Sequence, residues 1–406
     1  MAVSLDMYVS AGVGVLALLL GFFFTGKIPF LKRFCIPVPV SGGLLISLVT
    51  LLLYCLFGIE CRFDGTLRDL FMMVFFTSVG FQSDLKVFRK GGRPLIVMIV
   101  LVAVLIAVQN LISVGIACGL DRGALLGMAA GSIPMCGGHG TSGGFSPLLE
   151  SMGLTGAEAI TMAAATFGLV AGSLLGGPLG EALIRRHGLG ADEISQRASL
   201  GRNDKEEEIA RQARNDKING TGDYLKAVCL VIVAMALGRG VSWLLAQTGI
   251  TFPTYFGALV AAFAMRNLQG LSPKLSKGFC EKEIVSVGNI GLMLFLGMAM
   301  AGLRLWELAS LALPLTLILL AQVVFMALYG AFVAFPLLGK NYDSAVMVSG
   351  LCGFGLGATP NAMANMSAVC YKYHYSAAPF IIVPIIGAMF VDIINTGVVT
   401  LFLNLL

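Results

Sequence analysis

Long apolar segments separated by short polar ones dominate the chain. Apolar runs near the ~20 residues that a membrane-spanning helix needs occur at 7–24, 38–58, 70–85, 94–119 and 155–184. After a polar middle they resume at 223–247, 252–266, 284–303, 308–337 and 376–405. The pattern predicts an all-α integral membrane protein with ten transmembrane helices, five in each half. Each half leaves over one glycine-rich stretch. The first is Cys136-Gly137-Gly138-His139-Gly140-Thr141-Ser142-Gly143-Gly144, and the second is Cys352-Gly353-Phe354-Gly355-Leu356-Gly357-Ala358-Thr359-Pro360. Glycine at this density breaks a helix, and broken backbone at membrane depth survives only where it is buried in protein or lines a cavity. The two stretches are therefore read as re-entrant loops, over about 124–148 and 344–368.

This divides the chain into a first membrane repeat, 1–184, a charged linker, 185–222, and a second membrane repeat, 223–406. The halves correspond beyond their hydropathy: Pro39 and Gly43 answer Pro253 and Gly257, Gln109 answers Gln322, and Cys136-Gly137 answers Cys352-Gly353, all in the same order. Gly80 aligns with Gly302 only if a loop has been inserted. An odd number of spans per half forces the two five-helix repeats into inverted orientations. Helix breaks at matching places in inverted repeats point to a transporter's central binding site.

Charge sets the orientation. With the N-terminus outside, the cytoplasmic loops hold every Lys and Arg except Arg62, Arg68, Arg122, Arg239 and Arg304. That asymmetry obeys the positive-inside rule and predicts two periplasmic termini and a cytoplasmic linker. Met1 to Asp6 carry no Lys or Arg, so no cleaved signal peptide is expected. The chain is 57% hydrophobic and 12% charged, against roughly 25% charged in soluble domains. The net charge of +5 resides in loops between helices, which predicts a lipid bilayer and no nucleic acid as partner. The nine cysteines lie mostly in or beside apolar spans without metal-ligand spacing and read as small buried hydrophobes.

A helix that stops at membrane depth leaves unpaired N–H groups at one end, which attract carboxylates, and carbonyls at the other, which coordinate Na⁺. Gly137, Gly138, Gly140, Gly353, Gly355 and Gly357 let a ligand approach the backbone. Thr141, Ser142, Thr359, Asn361 and Asn365 add hydroxyl and amide oxygens. The competing account is that these glycines only let helices pack closely. Asp392 lies midway along the last apolar span, where an ionisable group is costly. Asn395, three residues on, shares its helix face. Asp392 either binds Na⁺ or pairs with a substrate ammonium; a third reading has it cap a broken helix or pair with Arg239. Thr166 and Ser173 are further candidate ligands or ordinary packing residues, and Gln109 and Gln322 serve either packing or function. His139 suits neutral hydrogen bonding to backbone better than proton transfer. A reading from another class is an intramembrane hydrolase, since Gly140-Thr141-Ser142-Gly143 matches a GxSG motif. Its histidine base would have to come from another helix, whereas His139 is in the same loop.

At Ser132…Cys136-Gly137-Gly138-His139-Gly140-Thr141, Ala165-Thr166-Phe167-Gly168-Leu169-Val170, Leu303-Arg304-Leu305-Trp306-Glu307, Gly339-Lys340-Asn341-Tyr342-Asp343, Gly353–Pro360 and Gly387-Ala388-Met389-Phe390-Val391-Asp392 the chain resembles the bacterial sodium/glutamate symporter family. The likeness covers nearly the whole chain apart from the charged middle and the extreme termini. It implies a non-enzymatic secondary transporter in the inner membrane. It further implies Na⁺ as coupling ion, L-glutamate as substrate, no other cofactor, and a homodimer whose substrate domain slides against a scaffold. The related citrate-type carriers hold substrate carboxylates with arginines near the re-entrant loops. This chain has no Arg or Lys in either glycine stretch. That keeps another carboxylate, such as a di- or tricarboxylate, open as the substrate.

Overall fold

The computed structural model describes residues 2–34, 36–83, 86–189, 221–269 and 280–406. Most of the expected linker, Glu206 included, lies outside them, as do Lys274 and Lys277. The first half comprises α1 (Met7–Lys27), α2 (Pro29–Arg33), α3 (Val38–Phe57), α4 (Thr66–Gln82), α5 (Lys86–Gly119), α6 (Ala124–Ala129), α7 (Ser132–Met135), α8 (Gly138–Ser151) and α9 (Ala157–His187). The second contains α10 (Thr221–Ala246), α11 (Phe256–Gln269), α12 (Glu281–Ala301), a 3₁₀ segment Leu305–Leu311, α13 (Ala312–Leu328), α14 (Tyr342–Gly355), α15 (Thr359–Lys372), α16 (Ala377–Ile385) and α17 (Val391–Leu405). Two short strands, β1 (Ala2–Ser4) and β2 (Glu60–Arg62), pair in parallel beside the start of α1. The Asp6 carboxylate caps that helix by accepting from the Val9 amide at 2.8 Å.

Among the described residues eight helices are long and apolar enough to cross a membrane, which makes this a multi-pass helical membrane protein. Their outward faces are apolar, as on α10, where Leu225, Ile232, Leu237 and Leu244 are exposed. Two further expected spans are helical but short. α4 has 17 residues and α11 has 14, about 26 and 21 Å at 1.5 Å per residue. Both lie inside a helix cluster, which relieves them of covering a full hydrocarbon thickness. Within α4, Thr77 and Ser78 are buried and donate back to the carbonyls of Met73 and Phe75.

The helices sort into two groups. One packs α1, α3, α4, α10, α11 and α12 together, and the other packs α5 to α9 with α13 to α17. The groups are joined by the chain that runs from α4 into α5, which is kinked within α5 where Gly92 has φ +60° two residues before Pro94, and through the 3₁₀ segment after α12. Where they face each other, small residues of α8 meet an aromatic wall. A Cβ on Gly143 would meet the Phe295 ring, and one on Gly144 the Tyr255 ring. Tyr255 stacks on Phe76 with centroids 3.6 Å apart. Among the described residues the polar contacts that cross include Arg68 to Glu158 at 3.1 and 3.2 Å, Ser83 to the Met389 carbonyl at 3.3 Å, Tyr255 to Thr396 at 3.4 Å, and Asn404 to the Thr251 backbone at 2.9 and 3.1 Å.

Two spans carry a widened π turn. α13 runs into one at Tyr329–Ala334, and α16 is joined to α17 by another at Ile386–Phe390. A π turn holds an extra residue and rotates whatever follows it; here Asp392 follows.

Candidate functional site

Both glycine stretches are real interruptions of helix. In the first, α6 stops before Gly131, one turn of α7 follows, and the chain breaks again at Cys136-Gly137 before α8. Gly138 has φ +61°, a region L side chains rarely adopt, and a Cβ there would lie 3.2 Å from the Gly357 carbonyl oxygen. In the second, α14 stops at Gly355, Ala358 is extended, and α15 restarts at Thr359-Pro360. Proline suits that first turn because its missing N–H would have had no helical partner.

The two breaks, far apart in sequence, touch. Besides the Gly138–Gly357 approach, the Cys136 thiol donates to the Gly355 carbonyl at 3.6 Å and Gln109 Nε2 donates to the same carbonyl at 2.8 Å. Gln322 in turn donates to the Gln109 carbonyl at 2.8 Å. The corresponding glutamines of the two halves therefore meet, and one of them holds the second break.

Each break is crossed by a helix from the other half. α17 crosses the first: Ser132 Oγ donates to Asn395 Oδ1 at 2.7 Å, and Asn395 Nδ2 donates to the Ser132 carbonyl at 3.2 Å. Thr141 Oγ1 donates to Asp392 Oδ1 at 3.3 Å. α9 crosses the second: Asn361 Nδ2 donates to the Leu169 carbonyl at 2.8 Å, and Asn365 Nδ2 to the Gly172 carbonyl at 2.9 Å. Gly168 and Gly176 permit this closeness, since a Cβ on Gly168 would meet the Leu356 carbonyl and one on Gly176 the Asn365 amide. His139 Nε2 and Thr166 Oγ1 are 3.0 Å apart, tying the first break to α9 as well. Thr359 lies against Gly387 in the second π turn.

Several expectations change in detail. Asp392 meets Thr141, whereas Arg239 is exposed two turns before the end of α10, so the ion pair considered for them does not form. Asp392 and Asn395 share a face, but their partners are separate residues of the first break. His139 meets a side chain rather than backbone. The Ser142 hydroxyl donates to the Gly138 carbonyl at 2.7 Å and the Thr161 carbonyl at 3.3 Å. With His139 turned to Thr166, Ser142 has no histidine partner among the described residues for the hydrolase reading. Residues not singled out from sequence also take part. Asn110 Oδ1 accepts the Ser132 amide at 2.9 Å, a role signalled only by a second carboxamide beside Gln109 in an apolar span. Buried oxygens without a protein partner remain at Asn361 Oδ1, Ser349 Oγ and Gln109 Oε1. Buried polar atoms are ordinarily paired, so these three mark positions beside the second break that are short of donors, as others do elsewhere among the described residues.

The family model for sodium/glutamate symporters matches residues 3–375. The chain belongs to the sodium/glutamate symporter family. Among its relatives, the sodium/glutamate symporter of Escherichia coli strain K12 is 40% identical over 402 residues, covering 99% of this chain and 98% of that protein. The same protein name in Haemophilus influenzae goes with 35% identity over 398 residues, 98% of this chain and 97% of that one. The likeness therefore runs past the family model's end and takes in α17. These relatives are symporters rather than enzymes, and the chain is a transporter of that family.

Proposed function

We propose that this protein is a secondary active transporter that couples Na⁺ movement to uptake of L-glutamate across the bacterial inner membrane. The observation carrying this reading is the meeting of two helix breaks, one from each half, each crossed by a helix of the opposite half. That arrangement suits a site between inverted repeats of five spanning helices, each with a re-entrant loop, ten spans in all. The domain limits are then 1–184, 185–222 and 223–406, with the linker cytoplasmic and both termini periplasmic.

Substrate contacts fall to Gly137, Gly138, His139, Gly140, Thr141 and Ser142 in the first break and to Gly353, Gly355, Gly357, Thr359 and Asn361 in the second. Backbone N–H groups at interrupted helices take the carboxylates. Na⁺ is a hard cation that favours oxygen, and Asp392, Asn395, Asn365 and Thr166 supply it from helices crossing the breaks. An ionised carboxylate at this depth needs a compensating cation, so binding at Asp392 is coupled to Na⁺ or to the substrate ammonium.

The division into two helix groups supports an elevator-type movement. The group holding the breaks would slide along the other, with the glycine face of α8 passing the aromatic wall, in each subunit of a homodimer. Purified protein in liposomes should accumulate labelled glutamate under an inward Na⁺ gradient and not under a K⁺ gradient. Uptake indifferent to Na⁺, or confined to another di- or tricarboxylate, would overturn this assignment.

A further inference from the structure

Arg239 lies two turns before the end of α10, about 10 Å along its axis. It opens onto a groove of about 400 Å³ walled by Ser242 and by the α10–α11 turn from Gly249 to Thr254. Among the described residues, nothing hydrogen-bonds or ion-pairs with the side chains of Arg239, Ser242, Thr251 or Thr254. One wall contacts the other helix group: Asn404 of α17 accepts the Thr251 amide at 2.9 Å and donates to its carbonyl at 3.1 Å.

A guanidinium at this depth is costly unless it meets an anion, and its planar fork fits a phosphate through two parallel hydrogen bonds. The surroundings specify what carries the phosphate. Trp243, one turn beyond Arg239, is 65% exposed, and exposed tryptophans collect at the headgroup level of a bilayer. On the side of Arg239 away from the helix end, Ile232, Val233 and Leu237 present an outward apolar surface, while Leu245, Ile250 and Phe252 line the groove itself. A polar pocket with an apolar track beneath it suits an amphiphile. We propose that this groove binds an anionic phospholipid, its phosphate held by Arg239 and the neighbouring hydroxyls and an acyl chain lying along α10. The inference does not depend on the transported substrate.

The chain has two tryptophans, so Trp306→Phe leaves Trp243 as the single reporter. Trp306 stacks on Tyr54 at 4.3 Å, a contact phenylalanine retains. In vesicles containing brominated lipids, brominated phosphatidylglycerol should quench Trp243 with roughly fivefold preference over brominated phosphatidylcholine, as expected for one arginine near an anionic surface. Adding Arg239→Gln should abolish the preference, and Arg239→Lys should keep part of it. Equal quenching by both lipids, or a preference that survives Arg239→Gln, would overturn the proposal. Quenching by neither lipid would show a second copy of the chain covering the groove, and loss of the preference to inorganic phosphate would assign it to a soluble anion. Either result also rules the lipid out.

Discussion

Among the described residues the Arg68–Glu158 pair is the main charged contact between the two helix groups, and the proposed sliding of one past the other would break it. Arg68 Nη1 reaches both Glu158 oxygens, at 3.1 and 3.2 Å, with side chains 25% and 20% exposed. Fully exposed pairs contribute about 0–1 kcal/mol, whereas removing one partner of a buried pair costs about 3–5 kcal/mol. Partial exposure and the second neighbour of Arg68, Asp69 at 3.1 Å, place this pair at about 1–2 kcal/mol. If the pair exists in one end state only, Glu158→Gln should shift the balance of end states roughly 5–30-fold. The apparent glutamate KM should move by a similar factor, because only one population binds from a given side. Initial uptake rates in proteoliposomes would measure it for Glu158→Gln, Arg68→Gln and the double variant. Both single changes should act in the same direction, and the double variant should match a single one, as for two ends of one interaction. Effects that multiply in the double variant, or no shift at all, would refute the pair as a brake on sliding.

Other outcomes follow from the same geometry. Gly143→Ala should insert normally yet slow uptake at least tenfold, because its Cβ meets Phe295, whereas Gly177→Ala, with nothing within 4 Å, should transport normally. Gly138→Cys should be inserted but inactive, since a side chain at φ +61° costs about 1–2 kcal/mol and projects toward Gly357; near-normal uptake would return Gly138 to a packing role. Asp392→Asn should fold and lose most Na⁺-driven uptake. A raised Na⁺ requirement would mark Asp392 as a cation ligand, a raised glutamate requirement as an ammonium partner, and unchanged dependence on both as a structural residue. A periplasm-specific reporter fused after Leu406 should be active, and activity only of a cytoplasmic reporter would reverse the orientation.

What the sequence discloses here is mostly what breaks a rule. Glycine clusters and a carboxylate inside apolar runs conflict with membrane helices, so both breaks and Asp392 stand out from the residue pattern alone. Span limits are legible because hydropathy follows length: the run 38–58 corresponds to Val38–Phe57, and the run 94–119 ends with its helix at Gly119. Pairings across the fold are not legible in this way. Asn395 shares a face with Asp392 by simple periodicity, but that it grips Ser132 depends on how the halves dock. Asn110 and Gln109 are adjacent in sequence, yet one serves the first break and the other the second. Gly138 and Gly140 of α8 read as ligand space in the sequence, and Gly143 and Gly144 only as the end of the same glycine stretch. Gly143 and Gly144 face aromatic rings supplied by Phe295 and Tyr255, which no local pattern connects to them.

The π turn at Ile386–Phe390 makes residue count a determinant of the chemistry beyond it. Each residue of an α-helix advances about 100°, and a π turn takes up one residue more than regular helix would. Were Ile386–Phe390 regular α-helix with the same number of residues, the carboxylate and Asn395 would be turned by about that angle away from Thr141 and Ser132. Every side chain would still be present. Elsewhere in a membrane span a one-residue change in length turns all that follows; at this place the π turn takes up one residue and keeps the buried charge on its partner. The helix therefore stores its specificity partly as a length, in a form that comparison of residue types alone would overlook.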